Sequence, residues 1–202
     1  ALPGEAPADL VQRLAALKAS AVGSARGGSS VESRGGSSVE SRGGSSVESR
    51  GDGARGGSVG DVLVLAADTV VALDGALLGK PQGRDDYCRM LAALSGKTHE
   101  VYTGFALVPA GAATRVGVVA TKVTFRRLTN DEIDAYWETG EPQDKAGGYG
   151  IQGHGRGLVA AFDGSHTNVM GLPMEAVSAE LSLLGVEGDI EAGIERCADE
   201  VD

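Results

Sequence analysis

The stretch from Val62 to Pro81, Val-Leu-Val-Leu-Ala-Ala-Asp-Thr-Val-Val-Ala-Leu-Asp-Gly-Ala-Leu-Leu-Gly-Lys-Pro, limits more than any other what this chain of 202 residues folds into. It opens with Val62 to Ala67, an apolar run too short for a typical helix and sufficiently β-branched to read as a strand buried on both faces. Asp68 ends that run. A carboxylate at the tip of a buried strand has to be hydrogen-bonded, paired or metal-bound, because a bare one would neutralise instead. Thr69 to Leu73 continue in extended character, Asp74-Gly75 is a turn dipeptide, and Leu77 to Pro81 comes back with Lys80 near its end. The hairpin thus presents one acid and one base. Charged residues are mostly exposed, so a turn acid with a solvated lysine is the plain reading of the pair. The sharper one is a water- or metal-activating carboxylate beside a phosphate-binding ammonium. A P-loop is excluded, since Gly75-x-x-x-Gly79-Lys80 is one residue short and Pro81 stands where its Ser or Thr belongs.

Charge narrows the partners. The net charge is −10, while Arg26 to Gly60 holds five Arg against three Glu and one Asp, a net of +1, so the remainder carries −11. No cluster of Lys or Arg is present to neutralise a phosphate backbone, which argues against a nucleic-acid polymer and for a small anion in a local pocket. Cys88 and Cys197 stand in no metal or redox spacing, which reads as a reducing compartment. His99, His154 and His166 form no ligand pair and read as structural or exposed. No apolar run is long enough for a membrane span and no signal peptide precedes Pro3, so the expectation is a soluble, cytoplasmic protein.

Four segments follow from patterning. In residues 1–22, Leu10, Leu14, Leu17 and Ala21 form one apolar stripe of a helix bordered by Lys18. In residues 23–60 the octapeptide Arg-Gly-Gly-Ser-Ser-Val-Glu-Ser occurs three times from Arg26 to Ser49. One valine per unit cannot offset the ordering entropy of eight residues, so this insertion is expected to be disordered. Residues 61–186 form the core of an α/β (α+β) domain. Within it, Gly83 to Gly96 reads as a helix with Tyr87, Met90, Leu91 and Leu94 on one face. His99 to Val108 and Arg115 to Arg127 read as paired, largely buried strands, and Thr129-x-x-Glu132 as a capping box opening a helix that stops at Gly140. Leu158 to Phe162 is a short strand and Pro173 to Leu184 a helix with Met174, Val177, Leu181 and Leu184 inward. Residues 187–202 are an acidic tail.

Between the last two helices runs a second informative stretch, Glu141 to Gly157, six of whose residues are glycine. Glycines let backbone approach a ligand closely, and Lys145, Tyr149, Gln152 and Arg156 are placed to touch one. A flexible surface loop is the competing reading, and binding residues concentrate on loops in either case. The Gly153-x-Gly155-x-Gly157 spacing, with no strand leading in, is not a dinucleotide fingerprint.

Together these stretches resemble the Maf family of nucleoside triphosphate pyrophosphatases, in its dTTP/UTP pyrophosphatase-like form. The resemblance rests on Ala67-Asp68-Thr69-Val70-Val71, Gly79-Lys80-Pro81, Leu94 through Gly104, Gly140-Glu141-Pro142, Lys145 through Gly153, and Asn168 through Pro173, with Leu2 to Val22 similar to the family's preceding helix. It implies a long mixed twisted sheet flanked by helices, in the inosine triphosphate pyrophosphatase-like fold. It also implies hydrolysis of a nucleoside triphosphate between its α and β phosphates with a divalent cation, magnesium or manganese. On that resemblance Asp68 is the catalytic base and metal ligand, Lys18 and Lys80 meet phosphate oxygens, and Thr69 and Gln152 tune base choice. The Tyr-Gly-Ile-Gln-Gly form points to dTTP, UTP and modified pyrimidines, and the role implied is sanitation of the nucleotide pool. Members of the family often dimerise, so a homodimer stays open. The family's opening strand and Ser-x-Ser-Pro-Arg-Arg turn do not occur in the sequence, so the fold is expected with its first strand missing. Two further readings remain: a catalytically impaired nucleotide-binding or regulatory module linked to cell division, and an interaction protein acting through the Arg/Gly/Ser repeat.

Overall fold

The computed structural model describes residues 1–2, 4–27, 63–109 and 113–186, with the backbone alone for 23–27. The expected disordered insertion therefore lies, apart from 23–27, outside the described residues, as do most of the connection after β3, Cys197 and the acidic tail. Among the described residues no helix is long and apolar enough to cross a membrane.

Five strands form one sheet in the order β2-β1-β3-β4-β5: β1 (Leu63–Leu73), β2 (Ala76–Leu78), β3 (Thr98–Pro109), β4 (Arg115–Phe125) and β5 (Val159–Asp163). Each described pairing is antiparallel, and the α/β class holds. The Asp74-Gly75 turn closes the first hairpin, with Asp74 at φ 50 and Gly75 at φ 80, the left-handed geometry that Asp and Gly tolerate best. The apolar run and the segment after Asp68 are one strand, because β3 pairs with β1 continuously from Leu63↔Pro109 to Ala72↔Glu100. Two burial expectations fail. The first half of β1 is only half-buried with Leu65 exposed, and β4 alternates, leaving Val116 and Val118 exposed on the face where α1 packs. A strand is buried on both faces only where both are covered, and here the cover is partial.

Helices lie on both sides. The main core gathers on one face, where α2 (Arg84–Leu94) and α3 (Asn130–Glu138) bring Tyr87, Leu91, Leu94, Ile133 and Tyr136 against Val71, Val101, Val123 and Phe125. The capping box at the start of α3 is formed, with Thr129 N–H donating to Glu132 Oε2 at 2.8 Å. Further along the same face, α4 (His166–Met170) leads into α5 (Met174–Leu183), whose Val177 packs on Phe105 and Leu107. In the intervening loop, Tyr149 stacks edge-on with Phe125 and shares a 2.7 Å hydrogen bond with the buried ring of His99.

The opposite face carries α1 (Pro7–Gly27), which runs past the expected end at Val22. It docks through Val11, Ala15 and Ala19, all fully buried, whereas Leu17 of the expected leucine stripe is 56% exposed. The reason is a close approach. At Gly104 of β3 an added Cβ would lie 2.4 Å from the Val11 carbonyl carbon and 2.6 Å from the Gln12 nitrogen. Helix backbone sits on strand backbone there, and only small side chains fit beside such a contact.

Two outcomes follow for stability. Gly104→Ala should lower the free energy of unfolding by about 1–3 kcal/mol in urea titrations, the usual cost of overpacking. Gly79→Ala, with nothing within 4 Å of the added carbon, should change it far less. His99 is 2% exposed, its Nδ1 has no hydrogen-bond partner, and burial lowers its pKa from 6.5 to about 4. Protonating it would bury an N–H without an acceptor. Between those values the unfolded chain binds the proton and the folded chain does not, so stability falls as pH drops from about 6.5 towards 4, by at most about 3 kcal/mol. The stability gap between wild type and His99→Gln should therefore narrow over that range in pH-dependent denaturation. A gap independent of pH would refute the assignment.

Candidate active site

Asp68 sits in the middle of β1 opposite Gly104, and not at the strand's tip as its sequence context implied. Mid-strand placement is tolerable because this part of β1 is an edge. The short β2 pairs only with Val71, Ala72 and Leu73, so among the described residues Leu63 to Val70 have no strand on the side away from β3. Successive residues of a strand point to opposite faces, so Asp68 and Thr69 can line one cavity only where that cavity wraps an edge. They do. A cavity of about 570 Å³ at this edge is lined by Lys18, Asp68, Thr69, Lys80 and Gln152 together. It also takes in Glu141, Asp144, Lys145 and Tyr149, but not Arg156.

Each side chain arrives by a different route. The seating of α1 on Gly104 carries Lys18 across the sheet, where its ammonium donates to Asp68 Oδ1 and, at 3.2 Å, to the Ala67 carbonyl. The Lys18 side chain is 55% exposed and that of Asp68 18%. Asp68 Oδ2 has no partner among the described residues, and a lysine has a third N–H to offer. The sequence reading put Lys18 on phosphate oxygens, whereas here it first holds the carboxylate. Lys80 follows Gly79, whose carbonyl accepts from Gly147 N–H at 2.9 Å, so the Lys80 and Lys145 segments are tied together. The Lys80 ammonium has no hydrogen-bond partner among the described residues. Lys145 bonds Asp144 at 2.8 Å, and that bond, aided by the nearby Lys80 charge, lowers the Asp144 pKa.

Thr69 is set by a hydroxyl relay that the sequence did not suggest. Thr103 Oγ1 donates to the Asn168 carbonyl at 2.9 Å, and it shares a 2.8 Å hydrogen bond with Thr69 Oγ1. A hydroxyl has one proton, so Thr69 must donate to Thr103 and can only accept from a ligand. Asn168 anchors the relay: it is fully buried and its amide donates to Val101 O at 3.0 Å and Thr121 Oγ1 at 2.9 Å. Neither Thr103 nor Asn168 stood out as a site residue in the sequence, because what they supply is hydrogen-bond direction. The Gln152 side chain, by contrast, is exposed and makes no hydrogen bond among the described residues.

The donor set bears on metal binding. Among the described residues no group of three or more His, Cys, Asp or Glu side chains is arranged to hold an ion. Magnesium is commonly held by one or two carboxylates with substrate phosphates and water, a set that Asp68 fits. An ion that arrives with a phosphorylated ligand suits these residues, while a self-sufficient protein cage does not.

Comparison with known proteins places the chain in a family. The family model described as Maf-like protein matches residues 1–184. The chain is 53% identical over 136 residues, 67% of its length, to a dTTP/UTP pyrophosphatase of Desulfitobacterium hafniense, and 53% identical over 128 residues, 63% of its length, to one of Moorella thermoacetica. Those matches span 61% and 66% of the relatives' own lengths, under two thirds. A dTTP/UTP pyrophosphatase of Hahella chejuensis is 39% identical over 185 residues, covering 92% of this chain and 77% of its own. With the family model running through α1, the sheet and α5, the chain belongs to the Maf-like protein family.

Proposed function

We propose that the protein is a nucleoside triphosphate pyrophosphatase acting on dTTP, UTP and modified pyrimidine triphosphates, releasing the monophosphate and pyrophosphate. The observation that carries this reading is the convergence of Lys18, Asp68, Thr69, Lys80 and Gln152 on one cavity, from positions far apart in the sequence. At about 570 Å³ it lies within the range of small-ligand sites. In this reading Asp68 takes the proton of the attacking water on Oδ2, while Lys18 fixes the carboxylate through Oδ1. The water oxygen bonds to the α-phosphorus, the bond from that phosphorus to the bridging oxygen of the β-phosphate breaks, and pyrophosphate leaves. Lys80, the third N–H of Lys18 and Lys145 meet the charge that builds on the phosphate oxygens. A magnesium or manganese ion bound by Asp68 and the phosphates would neutralise charge and acidify bound water.

Base choice follows from the hydroxyl relay. Thymine and uracil present an N3–H flanked by carbonyl oxygens. An acceptor-only Thr69 suits that N–H, and the Gln152 amide can donate to a carbonyl. Cytosine presents a bare N3 acceptor at the same place, facing another acceptor. The setting proposed is the cytoplasmic nucleotide pool, kept free of non-standard pyrimidines, with neither a nucleic-acid polymer nor a membrane as partner; a homodimer is compatible with it.

Pyrophosphate release from dTTP and UTP, in magnesium and in manganese, tests the reaction. Asp68→Asn should cut turnover about 10²–10⁴-fold, the range for a lost general base. Thermal stabilisation by nucleotide without any release from the wild type would replace this reading with the nucleotide-binding module. Thr103→Val frees the Thr69 hydroxyl to donate, so the preference for dTTP over dCTP in kcat/KM should fall roughly tenfold, about 1.4 kcal/mol. An unchanged preference would show that the relay does not set base choice.

A further inference from the structure

Glu141 lines the same cavity as Asp68, yet its surroundings are of a different kind. Its Oε1 accepts from the Tyr136 hydroxyl at 2.8 Å and from Gly155 N–H at 3.3 Å, and its Oε2 accepts from His154 N–H at 3.0 Å. The Tyr136 hydroxyl in turn accepts from Gly150 N–H at 3.1 Å. The loop carrying Gln152 is therefore clamped on both sides of that residue, at Gly150 and at His154-Gly155, by one tyrosine–carboxylate pair. The fit is tight. A Cβ at Gly153 would lie 2.8 Å from Glu141 Oε2, and one at Gly155 would lie 2.1 Å from the Gly150 carbonyl oxygen and 2.6 Å from the Tyr136 hydroxyl. Gly153 also holds φ +60, so both the clamp and the backbone require glycine there.

Resting on the pyrophosphatase reading above, we propose that Glu141 is a specificity-positioning residue that fixes the Gln152 amide against the pyrimidine edge by bonding both oxygens of its carboxylate to the Gln152 loop. Three features set this role apart from catalysis. Both Glu141 oxygens already accept from the protein, so that taking a proton would weaken the contacts that hold the loop. Its contacts run to the base-reading loop and not to Lys18, Asp68 or Lys80. Among the described residues the Gln152 side chain has no anchor of its own, so its position is inherited from the loop backbone. A glutamine at position 141 keeps the shape but offers one acceptor oxygen where three donors converge, leaving at least one loop N–H facing another donor.

The experiment compares wild type, Glu141→Gln and Tyr136→Phe. Expected for Glu141→Gln is at least a tenfold rise in KM for dTTP and UTP with kcat changed less than threefold, together with a fall of similar size in the preference over dCTP. Inhibition by inorganic tripolyphosphate, which has no base to read, should keep its constant within twofold. Tyr136→Phe, which loses the Gly150 and Glu141 contacts together, should show the same pattern more weakly, and thermal melts identify any variant that fails to fold. A uniform loss on all nucleotides and on tripolyphosphate, or a fall in kcat alone, overturns the inference. Binding of the α,β-imido analogues of dTTP and dCTP separates it from the parent reading. If wild type hydrolyses nothing but binds the thymine analogue preferentially, and Glu141→Gln loses that preference, the positioning role stands while the reaction assignment fails. If wild type shows no base preference in either assay, the positioning role fails.

Discussion

The contact of α1 with Gly104 fixes the geometry of the rest of the site. Where helix backbone meets strand backbone, the helix can neither slide nor rotate without steric conflict, so the reach of every side chain on its lower surface is set. Lys18 is one of those side chains, and its long stem lets an ammonium cross from the helix to the open edge of β1. The residue opposite Gly104 in the sheet register is Asp68 itself. The glycine that admits the helix and the carboxylate that meets its lysine are thus neighbours across one strand pair. Packing and chemistry are joined at a single point.

The open edge of β1 does the second part of the work. A fully paired strand would hide alternate residues under opposite layers, and the acid, the hydroxyl and the apolar wall could not share a chamber. With β2 reduced to three paired residues, the chamber opens on both faces, and the loops after β2 and α3 close over it. Those loops are not loose covers. Gly147 packs so near Val71 that an added Cβ would lie 3.0 Å from its methyl group, and its N–H is bonded to Gly79. The backbone segments that carry Lys80 and Lys145 are therefore tied to each other and seated against the strand.

How much of this was legible depended on whether the signal was local. The Asp74-Gly75 turn, the Thr129-Glu132 capping box and the helix of Tyr87, Leu91 and Leu94 depend on neighbours in sequence, and each was readable. The packing face of α1 was not. Leucine spacing favours Leu10, Leu14, Leu17 and Ala21; Leu10 is buried, but Leu17 and Ala21 are exposed because the closest contact, at a distant glycine, turns Val11, Ala15 and Ala19 inward. Asp68 was rightly singled out for needing a partner and wrongly placed at a strand end, because the pairing that carries β1 past it comes from β3, thirty-six residues on at Gly104. Asp68, Lys80 and Gln152 stood out from their local context and Lys18 and Thr69 through family resemblance, and all five line one cavity. Thr103, Asn168 and Glu141 carried no comparable signal, since their contribution is the direction or saturation of hydrogen bonds made by backbone folded from elsewhere.

Three carboxylates face the cavity, and their neighbours give them different capacities. Asp144 is bonded to Lys145, with its pKa lowered by that bond, and it sits where a phosphate would compete for the same ammonium. Glu141 is filled by a hydroxyl and two backbone N–H groups, so accepting a proton would cost contacts that hold the loop. Asp68 has the α1 lysine on one oxygen and no partner among the described residues on the other, an arrangement that Asp144 shares through its sequence neighbour Lys145. A general base needs a lone pair open to the attacking water, and Asp68 Oδ2 offers one. The proposed role of Asp68 as base therefore rests on the resemblance and on this open oxygen, not on exclusion of the other two carboxylates.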